Sequence, residues 1–185
     1  MKVNKIFVGL FMTLSLLSCK SEDKKDGVAE TTTEQSEVNK NSFTVILNAV
    51  VNKDDSFQVY YKAVDDDKVP FEEKNSMYVD VKGSDKPQDI IFSFPEDASP
   101  NQIRLDYGTN KEQTAIKINS LKINYLGKSI DLNGKEFFKH FIFNENTLKK
   151  DTINQTITPI VTEGGYDPMS YSEKLLNDKL IGLMK

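Results

Sequence analysis

The residues best suited to bind a ligand are the single arginine of the chain, a nearby acid and one of its tyrosines. Arg104 is the only arginine and stands two residues before Asp106. Residues two apart in a strand point to the same face, so this guanidinium can hold the carboxylate in two hydrogen bonds or meet a polar ligand. A tyrosine ring suits the apolar C–H face of a sugar. Tyr60, Arg104 and Asp106 are therefore the candidate ligand-binding residues, with a structural ion pair and simple packing as the alternatives.

Clustered carboxylates allow a second hypothesis. Asp65, Asp66 and Asp67 are followed by Glu72 and Glu73, and Ca²⁺ takes six to eight oxygen ligands. The spacing matches no known calcium loop, so an ordinary solvated loop is the alternative to a structural Ca²⁺ site. No other pattern indicates a cofactor.

Catalytic chemistry has little support in the sequence. His140 is the only histidine and lies between Lys139 and Phe141, so no histidine-based metal site or triad can be assembled within the chain. The 28 acidic residues leave open a small hydrolase that uses two carboxylates. The sequence predicts no particular catalytic residue, and we expect a protein that is not an enzyme.

The elements that must position these residues are strands. Phe57, Val59 and Tyr61 alternate with Gln58 and Tyr60, and this period of two is typical of a strand. Similar runs begin at residue 43 and cover 77–81, 89–94, 102–107, 115–126, 137–143 and 153–161. About eight strands without helical patterns between them predict an all-β fold, an antiparallel β-sandwich or barrel.

The alternation also predicts which side chains share a face. Phe57, Val59 and Tyr61 form the more apolar set of their strand, so they should face the core and leave Tyr60 outward. In segment 115–126 the apolar positions change phase about Ser120, from Ile116 and Ile118 to the odd-numbered positions that follow.

The C-terminus has the one helical pattern. Leu176, Leu180, Leu183 and Met184 fall on one face of a helix predicted over 172–184, with Ser170 or Ser172 as its cap. We expect this helix to cover a sheet edge or one end of the sandwich.

The N-terminus has the pattern of an export signal. Lys2 and Lys5 precede an uncharged stretch, 6–17, that is long enough for a signal peptide but too short to span a bilayer. It ends in Leu16-Leu17-Ser18-Cys19, which resembles the lipobox of bacterial lipoproteins. The resemblance implies that residues 1–18 are removed and that Cys19, the only cysteine, is lipidated. Each buried acyl CH₂ contributes about 0.8 kcal/mol, so two or three chains would anchor the protein firmly.

The residues after Cys19 are polar. Lys20-Ser21-Glu22-Asp23 is similar to the export signal of surface lipoproteins in the Bacteroidetes, and the polar composition of 19–41 predicts a flexible tether. Asp151-Thr152-Ile153 resembles an O-glycosylation sequon of exported proteins from the same group. Residues 42–185 should form the single folded domain.

Several strand-like segments resemble a β-sandwich domain found beside bacterial glycosyltransferases and in polysaccharide-associated membrane proteins. They are the segments 57–61, 71–73, 90–95, 103–106 and 116–123. The resemblance implies a jelly-roll-like β-sandwich similar to carbohydrate-binding folds, and it implies no reaction.

Together these features predict an outer-membrane protein, lipid-anchored and facing the periplasm or the cell surface. Removal of residues 1–18 would take away Lys2 and Lys5 and change the formal net charge from −4 to −6, which opposes binding to nucleic acid or to anionic headgroups. We expect it to bind a glycan or a protein of the cell envelope. A structural or assembly lipoprotein that docks a protein partner and a small hydrolase are the alternatives.

Replacing Cys19 by Ala tests the anchor. Since the acyl chains alone should hold the protein, the variant is expected to move from the membrane fraction to the soluble fraction of the cell, as judged by immunoblotting. Retention of the Cys19→Ala protein on membranes after an alkaline wash would contradict lipidation.

Overall fold

The computed structural model describes residues 42–64 and 66–185. The predicted signal peptide 1–18, the lipidation site Cys19 and the tether 19–41 lie outside the described residues, as does Asp65. No helix in the described part of the chain has the length and apolarity needed to cross a membrane.

Strands form most of the regular structure, as the alternating patterns predict. The described residues contain eleven strands: β1 Thr44–Val50, β2 Asp55–Lys62, β3 Ser76–Val81, β4 Gln88–Ser93, β5 Gln102–Asp106, β6 Ile116–Tyr125, β7 Lys128–Asn133, β8 Phe141–Phe143, β9 Leu148–Asp151, β10 Thr156–Pro159 and β11 Met169–Ser172. The helices are a short 3-10 turn, Glu73–Asn75, and the α-helices α1 Gly134–His140 and α2 Lys174–Leu183.

The strands form two sheets. The order in the six-stranded sheet is β4-β1-β6-β10-β9, with β7 also paired to β6, and the order in the five-stranded sheet is β3-β2-β5-β11-β8. Every pairing is antiparallel, so the prediction of an all-β antiparallel sandwich is confirmed.

The core lies between the inner faces of the sheets, and β1 shows the alternation of buried and less buried positions most clearly. In β1, Val45, Leu47 and Ala49 are fully buried. β6 keeps its apolar residues inward through a bulge: Asn48 pairs with Ser120 but Ala49 pairs with Ile118, which leaves Asn119 as an extra residue. The phase change predicted near Ser120 is therefore this bulge, after which odd-numbered instead of even-numbered positions face the core.

One predicted strand is mostly a helix. Segment 137–143 was expected to be extended, but the chain forms α1 before a three-residue strand, β8. Asn133 accepts a hydrogen bond from the Glu136 N–H while the Glu136 carboxylate accepts one from the Asn133 N–H, a capping box that starts the helix. Gly134 is required next, because a Cβ there would overlap the carbonyl oxygen of Ile118. The short strands β7, β9 and β11 were not predicted either.

The C-terminal helix is docked as expected. Leu176 and Leu180 are fully buried and Leu183 is 6% exposed. The predicted cap is wrong: α2 begins after Glu173, which makes no side-chain capping bond, and Ser170 and Ser172 belong to β11. Both serines are buried beneath the sheet, because their places in the strand turn them inward.

Replacing Leu180 by Asp should destabilise the protein by about 2 to 4 kcal/mol, through lost apolar burial and an unpaired buried charge. Leu175, on the same helix and 52% exposed, provides the matched control. Chemical denaturation should show a large loss for Leu180→Asp and little change for Leu175→Asp. Equal stabilities of the two variants would mean that the helix is not held by its apolar face.

Candidate functional site

The connection between β2 and β3 folds over the outer face of the five-stranded sheet, and Lys62 holds it there. We call residues 66–75 the β2–β3 loop. The Lys62 Nζ donates to the carbonyl oxygens of Asp66 at 2.8 Å and Val69 at 2.9 Å, and it lies 4.8 Å from the centroid of the Phe71 ring. Lys62 is only 5% exposed as a result. An outward-facing lysine thereby becomes part of a covered surface.

Glu73 fastens the other end of the loop to the sheet. The Tyr60 hydroxyl donates to its Oε2 at 2.6 Å, and the Tyr78 hydroxyl and the Gln58 Nε2 each donate to its Oε1 at 3.0 Å. The hydrogen bond from Tyr60 is the largest cause of the lowered pKa of the Glu73 carboxyl. Burial, followed by the bond to Glu73, raises the pKa of Tyr60.

Two of the sequence-predicted site residues stack on each other. Tyr60 and Arg104 are cross-strand partners in β2 and β5, and the Arg104 Cζ lies 4.3 Å from the centroid of the Tyr60 ring. Tyr60 faces outward from its strand, as predicted, and the pairing of β2 with β5 brings Arg104 beside it on the same face. The expectation of an open tyrosine platform is wrong, however: Tyr60 is 8% exposed, because Arg104 covers its ring and Phe71 packs against it at 6.5 Å.

Arg104 and Asp106 form a bidentate ion pair. The Arg104 Nε donates to Asp106 Oδ1 at 2.6 Å and its Nη2 donates to Oδ2, with the two side chains 18% and 13% exposed. These bonds raise the pKa of the guanidinium. Burial raises the pKa of the Asp106 carboxyl, and the bonds from Arg104 oppose that shift. The third guanidinium nitrogen, Nη1, has no hydrogen-bond partner within the described part of the chain and stays available to a ligand.

A cavity of about 500 Å³ lies on one side of Arg104 and is called here the main cavity. Its lining combines apolar and polar side chains: Phe71, Tyr171 and Ile142 with Lys62, Gln102 and Arg104. The rings of Phe71 and Tyr171 lie 5.8 Å apart at 35°. Ile142 is 57% exposed at the opening. This size and mixture are typical of sites that bind small molecules.

A second recess, the small pocket, lies on the other side of Arg104 and has a volume of about 190 Å³. Its lining is mostly polar and includes Gln58, Asp106, Tyr166 and Asp167. Arg104 lines both recesses, so the guanidinium separates them.

Of the acidic residues considered for calcium, those that the structure describes have other partners. The Asp66 carboxylate accepts from the Lys68 N–H, that of Asp67 accepts from Gln102, and Glu72 pairs with Lys74 at 2.7 Å. Over residues 42–64 and 66–185, no group of three or more His, Cys, Asp or Glu side chains could hold a metal ion.

Two other sequence features lie away from this face. His140 is buried at the end of α1, where its Nδ1 lies 2.7 Å from the Glu136 carbonyl oxygen. The Asp151-Thr152-Ile153 tripeptide forms the exposed turn between β9 and β10, where the Asp151 carboxylate accepts hydrogen bonds from the N–H groups of Ile153 and Asn154.

The sequence interpretation missed most of the cavity. Lys62 and Gln102 lie two residues from Tyr60 and Arg104 in β2 and β5, so the alternation of each strand could have predicted that they share the outer face. Phe71 lies in a segment without periodicity, and Tyr171 lies in a strand too short to recognise. Comparisons with protein-family models, curated proteins and solved structures found no match for this chain.

Replacing Tyr60 by Phe tests the hydrogen bonds at Glu73. Tyr60→Phe keeps the ring under Arg104 but removes the hydroxyl that donates to Glu73. Because that hydrogen bond is the main cause of the lowered pKa of the Glu73 carboxyl, this pKa should rise toward the ordinary glutamate value. A carboxyl-carbon NMR titration measures this pKa. Tyr125→Phe, in the opposite sheet, should leave it unchanged, and an unchanged Glu73 pKa in Tyr60→Phe would contradict the assigned hydrogen bond.

Proposed function

We propose that the chain is an exported, lipid-anchored binding protein of the bacterial envelope, and that the main cavity binds a glycan. The observation that carries the binding role is the combination, in one cavity of about 500 Å³, of paired aromatic rings with the polar side chains of Arg104 and Gln102. The proposed anchor at Cys19 in the outer membrane rests on the N-terminal sequence pattern alone.

The chemistry of the lining suits a sugar. A pyranose has apolar C–H faces, which aromatic and aliphatic side chains can cover, and a rim of hydroxyls that need hydrogen-bond partners. Phe71, Tyr171 and Ile142 supply the apolar surface. The free Nη1 of Arg104 can donate to a hydroxyl oxygen, and donors on a charged group form the stronger hydrogen bonds.

The carboxylates favour binding over glycoside hydrolysis. Hydrolysis by the common mechanisms needs two carboxyl groups on opposite sides of the bond that is cut. The described lining of the main cavity has one carboxylate, Asp67, which accepts a hydrogen bond from Gln102. Asp106 is held through both its oxygens by Arg104 and has little freedom to transfer a proton.

A protein ligand is the second candidate. Val69 is 39% exposed and Ile142 is 57% exposed, and both line the main cavity. Exposed aliphatic side chains around a recess suit an apolar side chain of a docking partner.

Ile142 and Ile153 form a matched pair for testing the cavity. Both are exposed isoleucines, 57% and 86% respectively, but only Ile142 lies at the main cavity. Ile142→Asp should weaken glycan retention at least about fivefold, because an apolar contact worth about 1 kcal/mol is lost. Ile153→Asp should retain glycans as the wild type does, and both variants should unfold at the wild-type temperature.

A glycan array and a pull-down from detergent-solubilised envelope are the two measurements. Glycan binding that depends on Ile142 supports the proposal. Capture of an envelope protein that depends on Ile142, without glycan binding, would favour the second candidate. Equal behaviour of the two variants in both assays would contradict a binding role for the main cavity.

A further inference from the structure

Three cross-strand pairs follow one another along the outer face of β2 and β5 and join the two recesses. They are Lys62 with Gln102, Tyr60 with Arg104, and Gln58 with Asp106. The first pair lines the main cavity and the third lines the small pocket. A strand rises about 3.3 Å per residue, so the first and third pairs are about 13 Å apart. That span exceeds one sugar ring, so a ligand that reaches both recesses must be longer than one sugar unit.

The small pocket collects polar groups that have unused hydrogen-bonding capacity. The Tyr166 hydroxyl is buried and has no hydrogen-bond partner in the described structure. Asp167 is exposed, and no partner for its carboxylate is found among residues 42–64 and 66–185. Arg104, whose Nη1 has no hydrogen-bond partner in the described structure, lines this pocket as well as the main cavity. An unpaired buried hydroxyl is costly, so a ligand that pairs with it gains free energy.

The charges select the kind of ligand. The charged side chains that line the small pocket are Arg104, Asp106 and Asp167. Arg104 and Asp106 neutralise each other, which leaves the negative charge of Asp167. This charge repels an anionic ligand but can accept hydrogen bonds from hydroxyl groups. A pair of neighbouring hydroxyls can donate to Asp167 and accept from Arg104 at the same time.

We infer that the two recesses act as one groove with the small pocket as its second subsite, and that the ligand is a neutral oligosaccharide of at least two sugar units. One unit occupies the main cavity, and a further unit places neighbouring hydroxyls between Arg104 and Asp167. This inference rests on the proposed glycan-binding function. It assigns Asp167 and Tyr166 as residues that determine specificity for chain length and charge.

Calorimetric titration with sugars of increasing length tests the second subsite. The probes are neutral homo-oligosaccharides of glucose, mannose, galactose and xylose, with one to four units, and galacturonate oligomers of the same lengths. For the neutral series that binds, the affinity of the wild-type protein should rise as the oligomer lengthens from one sugar unit to two or three. The galacturonate oligomers should bind more weakly than galactose oligomers of equal length.

Two variants remove the groups assigned to the second subsite. Asp167→Ala and Tyr166→Phe should each lower the affinity for the longer neutral oligomers, by about tenfold for the charged hydrogen bond of Asp167, and leave single-sugar binding unchanged. Asp131→Ala removes an exposed carboxylate from β7, in the opposite sheet, and should bind every probe as the wild type does. Tyr166→Phe should be at least as stable to heat as the wild type, because it deletes an unpaired buried hydroxyl.

The outcomes separate the two proposals. An affinity that rises with chain length equally in wild type, Asp167→Ala and Tyr166→Phe would overturn the second subsite. So would the absence of any rise with length, or tighter binding of galacturonate than of galactose oligomers. If the wild-type protein binds no probe of any length, the glycan-binding function itself is overturned.

Discussion

Lys62 places a charged ammonium group under a loop, and the candidate site depends on how that charge is accommodated. A buried charge is costly unless polar groups surround it. The carbonyl oxygens of Asp66 and Val69 supply part of that environment, so the backbone of the β2–β3 loop must stay on the sheet. The loop carries Phe71 to the wall of the main cavity and Glu73 to the tyrosine hydroxyls. Without this attachment the outer face of the five-stranded sheet would be an ordinary solvated surface.

Because the β2–β3 loop covers the outer face of the five-stranded sheet, Tyr60 and Arg104 contact other groups of the protein. Tyr60 contributes its ring to Arg104 and its hydroxyl to Glu73. Arg104 uses two nitrogens to hold Asp106 and keeps the third at the boundary of the two recesses. The guanidinium is thus held rigid by the stack and the ion pair, and a rigid donor loses little entropy when it meets a ligand.

The C-terminal helix supports the same site from the core side. The buried Ser172 donates from its Oγ to Asn177 Oδ1 of α2 at 2.6 Å and accepts from the Ile103 N–H at 3.0 Å. Its neighbour in β11, Tyr171, lines the main cavity. Docking of α2 through its leucines therefore helps to place an aromatic wall of the cavity. The stability of the core and the shape of the ligand surface are linked at this strand.

The sequence by itself determined the features that repeat with a local period. Alternation placed Arg104 and Asp106 on one face of their strand, turned Tyr60 outward on its own strand, located the phase change in β6, and identified the buried leucines of α2. The pairing of β2 with β5 then brought Tyr60 beside Arg104. Only the tertiary structure decided that α1 replaces a predicted strand, that Tyr60 is covered, and that Phe71, Tyr171 and Lys62 meet around a cavity. Strand and helix periods are set by neighbouring residues along the chain. The path of the β2–β3 loop is set by contacts such as the hydrogen bond from Tyr60 to Glu73. Such contacts join residues that no periodic pattern relates, and they form only when the sheet is assembled.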